Sequence, residues 1–293
     1  MFKIRVFSLI FICLLTACSQ ENVIPKEQIQ EEKNDENIVV TADGKLTFKI
    51  INNIEAPQET VDSIKDEIRK AYDDILQSIH TSYVPSEQIT IFLNGEGSQS
   101  WGLASRIELA ISQDGYYPLV HEMTHSLLGY GDNFGSDHGH FTQEGYAVYM
   151  DDQFGKNELY LEKFMKYFMD SDKLIPISKL IDPNQDDAYF RPGLTNLDEV
   201  NTLMGMSYTH AASFVKYLID TYGLEKFEQI YNKKDLANKI EEVYGKGVRE
   251  IEIEWLAFIN NQKGFTYEEK NLVGFYDFNT IMIRLDPSYF AKE

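Results

Sequence analysis

Apolar spacing along this 293-residue chain mixes strand and helix periods as far as about residue 111 and is almost purely helical after it, and that division limits the folds open to it. Between residues 46 and 111 apolar residues alternate or form short runs. Leu46, Phe48 and Ile50 are separated by polar neighbours, Ile89 to Leu93 is an apolar run between Pro85 and Gly95, and Ile107, Leu109 and Ile111 alternate again. A two-residue period points to strands with one buried face, and a short bounded run to a buried strand. Between the first two stretches, Val61, Ile64, Ile68, Tyr72, Ile75 and Ile79 recur at three- and four-residue steps, which predicts one amphipathic helix. From about residue 117 the steps are helical almost throughout. One helix carries Leu119, Val120, Met123, Leu127 and Leu128 and stops at Gly129. A second, capped by Thr142, runs to Phe154. Residues 158–170, 209–222, 224–232 and 247–260 follow with the same spacing, and residues 264–293 suggest a hairpin around Phe275 to Leu285. Strands with helices first, then helices nearly alone, describe an α+β fold: a small mixed sheet with its helices, followed by an α-helical part.

Composition narrows the partners. The chain has 27 basic against 47 acidic side chains, a formal charge of −20, which argues against nucleic acid and against electrostatic docking on anionic lipid. With 43% hydrophobic and 13% aromatic residues it is too apolar for wholesale disorder. Cys13 and Cys18 are its only cysteines, so the remainder has no disulfide framework and no thiol for a metal or for nucleophilic chemistry. Lys3 and Arg5 precede an apolar stretch from Val6 to Ala17, too short to span a bilayer but suited to a signal peptide. That stretch ends Leu15-Thr16-Ala17-Cys18, which resembles the bacterial lipobox. The resemblance implies cleavage before Cys18, lipidation of Cys18, and a lipoprotein anchored in the membrane but outside the cytoplasm, with acyl chains supplying the hold. Residues 19–41, rich in Glu, read as a solvated stalk.

The motif that carries chemistry is His121-Glu122-Met123-Thr124-His125, inside a predicted helix. Residues four apart share a face, so both imidazoles reach one small cation, and histidine nitrogen suits zinc. Glu122 is rotated about 100° from His121 and is placed to contact a metal-bound water rather than the metal. This is the zinc-peptidase pattern with glutamate as general base. A catalytic zinc needs a third protein ligand. The metzincin pattern is excluded, because Leu128 and Gly131 occupy its glycine and histidine positions. His138 and His140, in Asp137-His138-Gly139-His140, are competing candidates.

Glu144 follows His125 with eighteen residues between them, within Gln143-Glu144-Gly145-Tyr146-Ala147. This spacing and the E-G-x-A context resemble the gluzincins, in their aminopeptidase-N-like and peptidase MA-like branches. Downstream, Tyr208-Thr209-His210-Ala211-Ala212 through Tyr222-Gly223, and Tyr244-Gly245 with Glu252-Ile253-Glu254-Trp255, are similar to the helices that follow the active site in that family. The likeness extends over residues 44–262. It implies Glu144 as third ligand beside His121 and His125, one Zn2+ per chain, and hydrolysis of a peptide or protein substrate by a zinc-activated water with Glu122 as general base. It further implies oxyanion stabilisation by Tyr208, with His210 in reserve. The strand at Ile107–Ile111 is a candidate for pairing with extended substrate.

The organisation implied is a signal peptide (1–17), an acidic linker (18–41), a zincin-like α+β half with the motif and third ligand (42–155), an α-helical half (156–262) and a C-terminal extension (263–293). Two departures matter. The aminopeptidase GxMEN signature is absent, with Gly102-Leu103-Ala104 the nearest sequence, and Val148 stands four residues after Glu144 where thermolysin-like enzymes place an aspartate. Two other readings compete: a zinc-binding but catalytically silent lipoprotein that captures peptides or a partner protein, and a surface interaction protein without metal. A pure binding module has no chemical need for Glu122.

Overall fold

The structure, a computed structural model, describes residues 37–113, 115–129, 138–272 and 275–291. The leader, Cys18 and most of the linker lie outside these. Helix accounts for 54% of the chain, and the described residues form twelve helices and one five-stranded mixed sheet.

The sheet contains β1 (Ile38–Val40), β2 (Thr47–Asn52), β3 (Gln88–Asn94), β4 (Trp101–Gly102) and β5 (Arg106–Ala110), in spatial order β1-β2-β3-β5-β4. The three inner strands are parallel, with Ile50 opposite Ile91 and Ile91 opposite Ile107, while β1 and β4 run antiparallel along the two edges. Alternation along the inner strands buries Phe48, Ile50, Ile89, Ile91, Leu93, Ile107 and Leu109. Helix α1 (Gln58–Leu76) makes the crossover from β2 to β3. It buries Val61, Ile64, Ile68, Ala71, Tyr72 and Ile75, the stripe that the three- and four-residue spacing predicts. Each valine or isoleucine of that stripe contributes about 1.5–3 kcal/mol when fully buried.

Two helices follow the sheet, α2 (Leu119–Leu128) and α3 (Phe141–Phe154). Then come α4 (Leu161–Asp170), the short α5 (Ile177–Leu180) and α6 (Asp187–Phe190), and the long α7 (Leu197–Tyr222). The chain continues through α8 (Leu224–Ile230), α9 (Leu236–Tyr244), α10 (Val248–Asn260), α11 (Tyr267–Leu272) and α12 (Phe275–Met282). Trp255 of α10 is buried against α7, its indole N–H donating to Ser213 Oγ at 3.1 Å and its ring edge-on to Phe214. One hydrophobic core runs from Val39 to Phe290, so the sheet-bearing and helical parts share it. Among the described residues no helix is long and apolar enough to cross a membrane.

Several expectations need correction. The hairpin expected around 275–285 is helical instead: Phe275 and Phe278, three residues apart, pack on Tyr167, Phe164 and Phe168 of α4. The end of the expected linker, Ile38–Val40, pairs with β2 as a strand. The helix expected from 209 begins at Leu197, where the Asn196 side chain accepts from the Glu199 N–H. Helix α9 had no counterpart in the spacing read from sequence. His140, not Thr142, stands at the N-cap of α3, and the Thr142 hydroxyl accepts from the Asn232 N–H at 2.9 Å. The strand at 107–111 does not offer an edge, because β5 is paired on one side with β3 and on the other with β4.

Candidate metal centre

All ten residues of α2 are buried, the five polar ones included, where it is wedged between the sheet, α1 and α3. Pro118 precedes it, and Gly129 ends it in a left-handed conformation (φ +92°) with its N–H on the His125 carbonyl. Gly102 of β4 touches the first turn so closely that a Cβ there would come 2.1 Å from the Glu122 carbonyl oxygen. Gly145 of α3 plays the same part opposite α7, where a Cβ would lie 2.9 Å from the Ala211 backbone. The E-G-x-A sequence is thus a helix crossing as well as a chemical motif. The small residue lets the backbones approach, and that brings Glu144 on α3 and Tyr208 on α7 to the same place.

Three ligand atoms meet there. His125 Nε2 lies 3.1 Å from His121 Nε2 and 3.2 Å from Glu144 Oε2, and His121 Nε2 lies 3.4 Å from Glu144 Oε2. Donors about 2.0–2.1 Å from a common centre at tetrahedral angles would stand about 3.3–3.4 Å apart, so the triangle has the size that zinc requires. The donor set, two imidazoles and one carboxylate, also has the composition of a catalytic zinc site. Glu122 reaches the same neighbourhood, with ligand atoms of His121, Glu122 and His125 all within 4.8 Å of one another. A Glu122 oxygen and Glu144 Oε2 are thus both within reach of the two imidazoles.

The site pushes the two adjoining imidazoles in opposite directions. Burial pulls His121 down, but the hydrogen bond to Glu144 and the charges of Glu122, Glu144 and Asp151 outweigh it and push the ring up to about 8. Burial drives His125 down to about 4, only partly offset by Glu144. Burial also raises Glu122, to about 8, with the Glu144 and Asp151 charges adding to it. Glu144 is as buried as these, yet the Arg191 guanidinium and the two imidazoles hold its carboxyl well below the usual range.

Of the remaining expected residues, Tyr208 joins the cluster and His210 does not. The Tyr208 ring is stacked on His121, with centroids 6.1 Å apart and planes 12° apart. His210 lies two residues on along α7, on another face. Its Nδ1–H donates to Met206 O, its Nε2 accepts from the Ile175 N–H, and its ring stacks on Phe168. It is a core histidine that ties α7 to the segment before α5. His138 and His140 are also elsewhere, bonded to Asn232 and Asp187 respectively.

Two residues were missed by sequence reasoning. Asp151, buried, accepts the Tyr116 hydroxyl and the backbone N–H of His121, and so caps the first turn of α2. It follows Glu144 by seven residues, two helical turns, and helical spacing could have found it. Arg191, after α6, donates from Nη2 to Glu144 Oε1 at 2.7 Å and from Nη1 to Tyr208 Oη at 2.8 Å. No periodicity links this residue to α3.

No protein-family model matches the chain, and no curated protein resembles it closely enough to assign a family. The geometry and the motif resemblance therefore carry the functional reading.

Proposed function

We propose that the protein is a zinc metallopeptidase of zincin-like fold, of the gluzincin kind, held on the outer face of a bacterial membrane by lipid on Cys18. The observation that carries this reading is the triangle of His121 Nε2, His125 Nε2 and Glu144 Oε2, with edges of 3.1–3.4 Å. Zinc there supplies a Lewis acid and lowers the pKa of water to near 7. Glu122 accepts the proton of the attacking water and passes it to the leaving amine. Burial raises the Glu122 carboxyl above its ordinary value, which strengthens it as a proton acceptor. Tyr208 donates to the substrate carbonyl oxygen as negative charge develops, a contribution of about 3–4 kcal/mol in comparable sites. The sheet edge nearest the base is β4, whose Gly102 abuts Glu122, and an extended peptide added there lies alongside it.

Zinc stoichiometry and cleavage of a mixed peptide library, measured on the wild type and on Glu122→Gln, test the proposal. The expected result is one zinc per chain in both proteins, with cleavage reduced about 10²–10⁴-fold in the variant. Substoichiometric zinc in protein purified without chelators defeats the metal assignment. Full zinc with no Glu122-dependent cleavage leaves a binding lipoprotein. Cys18→Ala is expected to move the protein from the membrane fraction to the soluble one.

A further inference from the structure

We propose that Arg191 is a positioning residue that fixes how Glu144 binds metal and which way the Tyr208 hydroxyl points, an inference that rests on the metal-site reading above. The two oxygens of Glu144 are divided between partners. Oε2 faces the two imidazoles, whereas Oε1 accepts from Arg191 Nη2 at 2.7 Å. A carboxylate engaged in this way presents a single oxygen to a cation and keeps a vertex open for water and substrate. A glutamate released from that grip is able to close on the ion with both oxygens and fill the vertex.

The same guanidinium decides the role of the phenol. Arg191 Nη1 lies 2.8 Å from Tyr208 Oη. Guanidinium nitrogens carry donors only, so the Tyr208 oxygen must accept from Arg191, and its own proton is directed away from the guanidinium. Nη1 also donates to the Phe190 carbonyl at 2.6 Å, which ties the head of the side chain to its own backbone and limits rotation of the fork. Helix α7 holds the Tyr208 ring against His121, so the hydroxyl that Arg191 orients lies beside the ligand cluster. Lysine would supply the charge but not two nitrogens in a fixed plane, so Arg191→Lys separates the geometry of the fork from its charge.

The test uses the whole chain purified in detergent, loaded with Zn2+ or Co2+. X-ray absorption on zinc-loaded wild type is expected to show one carboxylate oxygen in the coordination shell. A bidentate carboxylate overturns the proposal without recourse to any variant. Arg191→Lys is expected to bind one zinc with affinity lowered about 10–100-fold against a chromophoric chelator. Its cobalt form should show the weaker visible absorption of a higher coordination number. Its kcat should fall while KM holds, and combining it with Tyr208→Phe should lower kcat by less than the product of the two single effects, because only the part that acts through the phenol is shared. Guanidinium ion in solution is expected to restore part of the cobalt absorption in Arg191→Ala. Wild-type zinc affinity and cobalt spectrum in Arg191→Lys, with kcat effects that multiply, overturn the role of Arg191 while leaving the peptidase reading intact. A wild-type chain that takes up neither metal overturns that reading itself.

Discussion

His210 is enclosed by α7, Phe168 and the Ile175 backbone, and burial pushes its pKa down to about 4 from an ordinary 6.5. Between those two values the unfolded chain binds a proton that the folded chain does not. Folding stability therefore rises with pH across that window and is lost on acidification, by about 2 kcal/mol at pH 5. Glutamine keeps a donor and an acceptor without titrating, so His210→Gln is expected to flatten the fall in urea midpoint between pH 7 and pH 5. Parallel curves for the two proteins would contradict this. At the metal centre His125 is lowered in the same way, but His121 behaves in the opposite sense. His121 is raised to about 8, so loading zinc at pH 7 must displace a proton from it. Calorimetry in buffers of different ionisation heat is expected to show release of about one proton or more, with affinity strengthening as pH rises towards 8. No release at all would contradict the assignment. At this scale the sequence was most legible where chemistry and helix geometry coincide, since four-residue spacing fixes His121 and His125 on one face. Asp151 escaped because it reaches back two turns rather than one. Arg191 escaped because a residue after a four-residue helix, 47 positions from its carboxylate partner, leaves no pattern along the chain.

Among the elements, the crossing of α3 and α7 has the strictest tolerance. A side chain at Gly145 meets the Ala211 backbone within 2.9 Å, and backbone cannot step aside as a flexible side chain can. Gly145→Val is expected to cost about 1–3 kcal/mol in urea unfolding and to weaken zinc binding, because relief of the clash moves Glu144. Gly193, where a Cβ would meet nothing within 4 Å, makes the control: Gly193→Ala should leave both measurements unchanged. Elements whose apolar residues gather on one buried face, such as α1 and α4, were readable from spacing. Helix α12 was not, because Tyr276 and the following Ile283 are exposed while Phe275 and Met282 are buried. Apolar residues on opposite sides of a short helix imitate the alternation of a strand.

For the whole molecule, the last residues complete the core. Phe275, Met282, Leu285 and Phe290 are all buried, and the aromatic cluster of α4 lies beneath Phe275 and Phe278. A chain ending at residue 262 would expose Phe164 and Phe168, at about 1.5–3 kcal/mol for each buried side chain lost. It is expected to melt at a markedly lower temperature and to be cut rapidly by added protease. A melting temperature equal to that of the full chain would show that the extension is dispensable. The division into a sheet-bearing part and a helical part was visible in the spacing, but their shared core was not, because periodicity records which face is buried and not what covers it.

The guanidinium at Arg191 and the phenol at Tyr208 reach Glu144 and His121 across the boundary expected near residue 155. A gene divided there would give one product with the three proposed ligands and the proposed base, and another with Arg191 and Tyr208, the groups proposed to orient and assist them. Neither fragment could inherit the chemistry alone. Recombination with unrelated sequences at that seam would separate ligands from their supports, so the two parts are bound to be inherited together.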